Sequence, residues 1–444
     1  MKVLKFGGTS VGSAERMKSV EQLIHTEELK AQQRIVVLSA MSGTTNHLVQ
    51  IGELLYAKNY PQAALVITEM ELKYRKVIGE LYQTDEMKEK ASHLLDTHFG
   101  HIRTLAKEKE RFNSLKERVL LAKGEQLSTA MFQYFLAENE VKSVLLDALE
   151  FMRIDENNEP ELDFISENLK MELGKYPDNL LFITQGYICK NSFGEIDNLK
   201  RGGSDYSASL IGAAIDADEI QIWTDIDGMH NNDPRIVDKT IPIAELSFDE
   251  AAELAYFGAK ILHPSTITPA KARNIPVRLL NTMAPQMAGT VITSKSASSE
   301  IKAIAAKDNI TMVNIRSTRM LLAYGFLRTL FEVFEKYKTP IDMITTSEIC
   351  VSVTIDNTTN LDKIITELAA FSSVEITQNQ SIVCIVGDLM GEQVGYAHKI
   401  FSSLENILIK MISYGGSKNN VSILIDSKDK KETLQALNRG LFNL

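Results

Sequence analysis

The sequence predicts an α/β protein. A mostly parallel sheet covered by helices on both faces is followed by a smaller region built from two ferredoxin-like βαββαβ units. Three observations lead there. Over roughly the first 295 residues, short apolar runs of strand length alternate with amphipathic patterns of helix length, the signature of a buried parallel sheet. Glycine and hydroxyl residues gather directly after those runs. Beyond a small, polar linker-like stretch, KSASSEIK at 295–302, one theme occurs twice, as IDMITTSEICVSVTI (341–355) and IKMISYGGSKNNVSILI (409–425).

Taken in order, the predicted strands are Lys2–Phe6, Ile35–Leu38, Val144–Leu146, Leu180–Ile183 and Ile220–Trp223. The first is unusual, because MKVLKFGGTS carries Lys5 inside the apolar run and two glycines at its end. An edge strand with an outward lysine is the plainest reading of those ten residues. Ala14, Met17, Val20 and Ile24 follow at helical spacing, with Ser13 as a natural N-cap. Residues from about 61 to 140 are rich in Glu, Lys, Leu and Met and read as long helices, an insertion serving partly as a lid or an interface. Phe326, Leu327, Leu330, Phe331, Phe334 and Tyr337 form the apolar stripe of a helix before the first repeat.

Composition narrows the function. The net charge of −10 leaves no basic excess for a broad nucleic-acid surface, although a small basic pocket for a phosphate remains compatible with it. Cys189, Cys350 and Cys384 are far apart in apolar surroundings, as buried free thiols of a reducing compartment would be. No CxxC or HExxH spacing occurs, and neither a signal peptide nor a membrane span is visible, so a cytoplasmic protein is expected.

Chemistry concentrates at the strand ends. Lys2–Phe6 leads into GGTS, Ile35–Leu38 into SAMSGTTN, Leu180–Ile183 into TQG and Ile220–Trp223 into TD. In open α/β sheets that edge binds ligands. Arg201, Gly202, Gly203, Ser204 and Asp205 precede a small-residue helix, which Ser204 or Asp205 can cap. Free amides there suit an anion, and Arg201 supplies a planar fork for carboxylate or phosphate. The loop WTDIDGMHNNDPR offers Thr224, Asp225, Asp233 and Arg235. It lacks the closing bidentate Glu of a calcium loop. Neither a Walker A nor a GxGxxG pattern opens the chain, yet KFGGTSVGSAER provides the same physics of open amides, hydroxyls and a lysine charge.

KFGGTSVGSAER, LSAMSGTTN, GEQLST, RGGSDYSA, WTD…DPR, FGAKILHP and ITTSE stand in that order along the chain. Together they resemble the aspartokinases of the amino acid kinase family over nearly the whole length. ITTSE is similar to the lysine-regulated, monofunctional group. The resemblance implies phosphorylation of the L-aspartate side chain to 4-phospho-L-aspartate with ATP and Mg²⁺, the first step toward lysine, methionine and threonine. It implies a kinase domain over residues 1–295 and interleaved ACT regulatory domains over 296–444. The first ACT copy would span about 313–385, and the second about 300–312 plus 386–444.

By the same resemblance Lys5, Gly7, Gly8 and Asp205 are catalytic, and Thr45, Glu125, Arg201, Gly202, Gly203 and Ser204 hold aspartate. Glu125 and Asp205 are both candidates for its ammonium. Lys5, Gly8, Thr9, Ser10, Thr224, Asp225, His230, Arg235 and Lys260 would line the nucleotide site. Met320, Tyr324, Gly325, Phe326, Leu327, Asp342, Thr346, Ser347 and Glu348 would bind the allosteric effector, with lysine first and threonine second among candidates. A homodimer or higher homo-oligomer through the ACT domains is implied too. Read without the family, Glu125 is an ordinary surface glutamate of a helix. A related kinase for glutamate or N-acetylglutamate, or a sensor with a dead kinase domain, are the rival functions.

Overall fold

The computed structural model describes every residue except 108–111, 201, 259–263, 296–299, 318–323 and 389–393, and the side chains of 27, 28 and 264. Arg201, Lys260 and Met320 therefore lie outside the described residues. Two compact units are present. The first comprises Met1–Met229, Ala244–Phe248 and Leu262–Lys295. The second comprises His230–Ile243, Asp249–Ile261 and Ser296–Leu444. Among the described residues no helix is long and apolar enough to cross a membrane.

The sheet of the first unit contains β1 (Lys2–Phe6), β2 (Arg34–Leu38), β3 (Val144–Leu146), β4 (Leu181–Gln185), β7 (Glu219–Thr224), β8 (Glu245–Ser247), β9 (Val277–Asn281) and β10 (Thr290–Thr293). A separate small ribbon pairs β5 (Ile188–Lys190) with β6 (Ile196–Asn198). The main sheet order is β3-β4-β2-β1-β7-β9-β10-β8. Pairing is parallel from β3 through β9 and turns antiparallel at β10.

Contrary to the edge-strand reading, β1 is central, with Lys5 in register with Val37 of β2 on one side and Ile222 of β7 on the other. The chain leaves β1 for β2 on one side and later returns to β7 on the other. That makes the β1 end a switch point, where a crevice opens beyond the strand termini.

Three long helices fill the insertion: Tyr60–Leu81, Asp85–Lys107 and Ser114–Glu138. They are not a lid. Met70, Tyr74, Leu95, Phe99 and Phe132 join Leu4, Phe6 and Leu38 of the sheet in one continuous core. Such shared burial holds the insertion rigidly to the strands.

The second unit carries an antiparallel six-stranded sheet. Its strands are β11 (Ile301–Arg316), β12 (Ile344–Thr346), β13 (Cys350–Ile355), β14 (Ser373–Gly387), β15 (Met411–Tyr414) and β16 (Asn420–Asp426), in the order β12-β13-β11-β14-β16-β15. Two cores hold it. Val313, Ile315, Val351 and Val353 pack with Leu330 and Phe334, whereas Ile304, Val383, Ile385 and Ile423 pack with Leu434 and Leu437. The long strands β11 and β14 serve both cores, so the two repeats are interleaved. They change over near Asn309 and Asn379, both left-handed (φ 61° and 58°), where the β11–β14 register shifts. Residues 380–385 thus belong with the second core, not with the first copy, because β14 pairs there with β16. Leu327 of the predicted stripe is exposed, and Val333 takes a core position instead.

Asn231 and Asn232 are buried and bonded to Asn438 of the last helix, at 3.1 and 3.4 Å, which ties the 230–243 segment into this second unit.

Candidate active site

Lys5 occupies the penultimate position of β1, flanked by apolar strands, and only 8% of it is exposed. Its Nζ lies 2.6 Å from Asp205 Oδ1. A buried lysine needs such a partner to stay charged. The contact is an ion pair off hydrogen-bonding angles, which leaves Oδ1 without a hydrogen bond.

After β1 the chain makes a tight turn in which Ser10 N–H donates to the Gly7 carbonyl (2.9 Å), and Gly7 N–H reaches the Trp223 carbonyl of β7 (3.3 Å). Gly8 is packed so closely that a Cβ would fall 2.9 Å from the Ala40 carbonyl. Thr9 receives a hydrogen bond on its carbonyl from Arg16. Ser10 is buried, its hydroxyl 2.8 Å from that of Thr282. Ser13 caps the next helix as predicted, accepting from Arg16 N–H at 3.3 Å.

The helix Gly203–Ala214 opens without a side-chain cap. The expectation that Ser204 or Asp205 would cap it does not hold. Gly202 and Gly203 adopt φ of 69° and 46°, so the turn itself is made by glycine. Ser204 instead accepts a hydrogen bond from the Ser39 hydroxyl at 2.8 Å, and Asp205 faces Lys5. Asp205 N–H turns back onto the Gly202 carbonyl at 3.0 Å, which leaves the Gly203 and Ser204 amides open for an anion.

Glu125 is buried, not the surface glutamate of the bare helical reading. It enters the site because Gly124 lets its helix approach β2. A Cβ there would sit 2.8 Å from Ala40 Cβ and 3.3 Å from Thr44 Cγ2. Oε1 accepts from Ala40 N–H at 3.2 Å, while Oε2 is buried with no hydrogen-bond partner. Burial pushes the Glu125 carboxyl up to about 7 against the opposing pull of the Ala40 amide. An orphaned buried carboxylate oxygen fits a cationic ligand group. Thr45 lies in the first turn of the helix Thr44–Tyr56, which begins after a left-handed Gly43.

The ends of β1 and β7 thus bring Lys5, Gly7, Gly8, Thr9, Ser10 and Thr224 to one edge of the sheet. Asp205 meets Lys5, Ser204 meets Ser39 and Glu125 meets Ala40, both just past β2, and Thr45 follows Thr44 in the next helix. Thr224 bonds Asp225 at 3.1 Å. His230 and Arg235 belong to the second unit. His230 Nδ1 is 2.8 Å from Thr240 Oγ1, and Arg235 forks onto Asp233 at 2.9 and 2.7 Å. Sequence reasoning missed Ser39, Thr44 and Tyr74. Ser39 and Thr44 stood inside a motif already singled out, whereas Tyr74 sits in a helix with no outward sign of a site.

Among the effector candidates, Tyr324 is fully exposed, and Gly325 (φ 85°) starts the helix Phe326–Lys336. Phe326 meets Phe371 edge-on at 5.9 Å. Ser347 N–H donates to the Cys350 carbonyl at 2.8 Å, and Thr346 and Glu348 are exposed. Asp342 is engaged on one oxygen only: Lys307 Nζ and Tyr256 OH each lie 2.7 Å from its Oδ1, while its buried Oδ2 has no hydrogen-bond partner. Cys189 and Cys384 are buried free thiols, but Cys350 is only half-buried.

Residues 1–281 match the amino acid kinase family, and residues 383–441 match an ACT domain. Lysine-sensitive aspartokinase 3 of Escherichia coli is 33% identical over 454 residues, covering 99% of both chains. The crystal structure of E. coli aspartokinase III with aspartate and ADP (R-state) superposes with a TM-score of 0.85 at 31% identity, covering all of both chains. The structure of the same enzyme with lysine and aspartate (T-state) gives 0.80 at 31% identity over 100% of this chain and 99% of that one. On the full-length match and the shared architecture, the chain belongs to the amino acid kinase family, among its aspartokinases.

Proposed function

We infer that this chain is an aspartate kinase that transfers the γ-phosphoryl group of ATP to the side-chain carboxylate of L-aspartate, giving 4-phospho-L-aspartate and ADP. The observation that carries this reading is the pairing of a buried cation, Lys5, with an open helix N-terminus on one side and an orphaned acceptor, Glu125 Oε2, on the other. One end of the crevice suits negative phosphate. The other suits an amino acid's ammonium.

The chemistry asks little of the protein by way of proton transfer. An aspartate side chain ordinarily titrates at ~3.9 and is ionised at neutral pH, so no general base is needed. A carboxylate oxygen of aspartate attacks the γ-phosphorus, and the bond to the β,γ-bridging oxygen breaks toward ADP. Catalysis then rests on alignment and charge neutralisation. Lys5, held by Asp205, faces the charge on the transferred group, and the Gly7–Gly8 backbone comes close because nothing projects from it. Glu125 holds the ammonium, Thr45 and Ser204 line the acceptor side, and Arg201 grips the α-carboxylate. Mg²⁺, when bound, would neutralise phosphate charge. The nucleotide phosphates would supply most of its ligands. Thr9, Ser10, Thr224, Asp225, His230, Arg235 and Lys260 remain the proposed nucleotide contacts.

We assign the kinase domain to residues 1–295, of which 230–243 and 249–261 cluster with the second unit, and the regulatory ACT pair to 296–444, with lysine as inhibitor, a homo-oligomeric assembly and a cytoplasmic setting. The twin cores, the lysine-sensitive relative and the unpaired thiols support these assignments. The test is coupled ADP release with aspartate, glutamate and N-acetylglutamate in parallel. Turnover with aspartate alone is expected. Turnover with another acid and none with aspartate would overturn the reading, and none with any acid would favour a sensor.

A further inference from the structure

The helical insertion reaches the site at one point. Tyr74, in the helix Tyr60–Leu81, is fully buried, and its hydroxyl lies 3.0 Å from Thr44 Oγ1. Phe99 from the next helix closes edge-on against its ring at 6.1 Å. The preceding residue, Lys73, places its ammonium on the Ser42 carbonyl. Two consecutive residues of one helix therefore hold the Ser42–Thr44 turn.

That turn is the hinge of the acceptor pocket. Ser42 N–H donates to the Gly8 carbonyl at 3.1 Å, so the turn is tied to the loop after β1. Thr44 has two functional faces. Its methyl group lies against Gly124, next to Glu125, and its hydroxyl is taken by Tyr74. Its immediate neighbour is Thr45. Moving Thr44 would shift Thr45 on one side and the wall beside Glu125 on the other.

We propose that Tyr74 is a positioning residue for the amino acid substrate. Its hydrogen bond to Thr44 fixes the start of the Thr44–Tyr56 helix and so sets Thr45 and Glu125 at the spacing aspartate requires. This rests on the aspartate-kinase reading. Tyr74 is fully buried and its hydroxyl meets Thr44, so it is placed to act through Thr44. Its effect should fall mainly on the acceptor side: Lys5–Asp205 and the Ser10–Gly7 turn hold the phosphate side, and the Ser42–Gly8 bond joins backbone groups that the Tyr74 hydroxyl does not touch. Loss of one hydroxyl leaves its former partner buried and unpaired, and the turn relaxes to find another.

The test is steady-state kinetics of Tyr74→Phe, Thr44→Val and the double variant, with aspartate and ATP varied in turn. Tyr82→Phe is the control. It removes another buried hydroxyl of the same region, bonded to the Met131 carbonyl at 2.7 Å and distant from Thr44 in the bonding pattern. The expected result is a rise of about five- to tenfold in the aspartate KM of Tyr74→Phe, with kcat within about twofold and the ATP KM unchanged. The double variant should be no worse than either single one, since both delete the same bond. Tyr82→Phe should leave both KM values alone. The proposal fails if the aspartate KM of Tyr74→Phe is unchanged, if the ATP KM rises equally, or if Tyr82→Phe behaves the same way. Should Tyr74→Phe not fold, Thr44→Val must show the selective rise or the proposal fails. Absence of aspartate turnover in the unaltered enzyme would remove the kinase reading itself, and this inference with it.

Discussion

Lys307 Nζ stands 2.7 Å from Asp342 Oδ1, in the regulatory half of the chain. It also lies 2.8 Å from Asp356 Oδ2 and 4.6 Å from the centre of the Tyr256 ring, and Tyr256 OH donates to the same Asp342 oxygen. Burial works against the Lys307 charge, yet the two aspartates raise its pKa above the ordinary lysine value. A carboxylate proposed to receive an effector's ammonium is thus already matched by an ammonium from its own chain. An external lysine binding through Asp342 has to compete with Lys307. Replacing Lys307 with Met should lower the lysine concentration for half-inhibition severalfold. It should also cost about 3 kcal/mol in urea unfolding, because the buried Asp342 side chain loses its counter-charge. Glu348→Ala should relieve inhibition, since Glu348 is the exposed acid just past β12, on the far side of that strand from Asp342. Inhibition curves that coincide with the parent's in both variants would move the effector site elsewhere.

Removing the Lys5 side chain deletes a cation held at the end of β1 and strands Asp205 beside the phosphate path. Lys5→Ala should lower kcat at least ~100-fold at saturating substrates, the scale of losing a preorganised charge. A kcat within about tenfold of the parent would remove Lys5 from the mechanism. Circular dichroism should show the fold retained, because β1 keeps its apolar residues Val3, Leu4 and Phe6 in the core.

How much of this was readable in advance depended on what surrounds each residue. Buried parallel strands such as Ile35–Leu38 announce themselves, because both faces are apolar and the run is continuous. β9, with Arg278 and Asn281 in its register, and the short β10 do not, since a polar residue breaks the run in the sequence and is accommodated only by the neighbouring strands. Glu125 read as surface because helical periodicity cannot tell a glutamate buried for binding from one in water. Gly124 beside it is the local hint, and its reason is tertiary: the Ala40 side chain leaves no room. The capping role expected of Ser204 and Asp205 failed for a similar cause. Both side chains are claimed from outside the helix, by Ser39 and Lys5. Along 223–235, Asn231 and Asn232 spend their amides on Asn438 and Leu434, partners more than two hundred residues away that no local pattern announces.

The raised pKa of Glu125 makes substrate affinity depend on pH in a definite direction. Burial favours the protonated carboxyl in the free enzyme, which titrates at about 7, against 4.5 when unperturbed. Only the ionised form attracts the ammonium of aspartate. As pH rises through about 7, kcat/KM for aspartate should therefore climb, while kcat at saturation stays flat, because the bound ammonium holds Glu125 ionised across the range. Stability of the ligand-free enzyme should run the opposite way. With the folded pKa above the unfolded one, the folded state binds the extra proton between the two values. Stability is then full below the unfolded pKa and declines as pH rises toward 7, by about 3 kcal/mol at most. Saturating aspartate should reverse much of that decline, since the ligand restores a partner to Oε2. Glu125→Gln should raise the aspartate KM about 10- to 100-fold and abolish the climb in kcat/KM. Kinetics from about pH 6 to about pH 8.5, with urea unfolding at both ends, would check both slopes. A flat kcat/KM profile in the parent enzyme would show that Glu125 does not meet the substrate's ammonium.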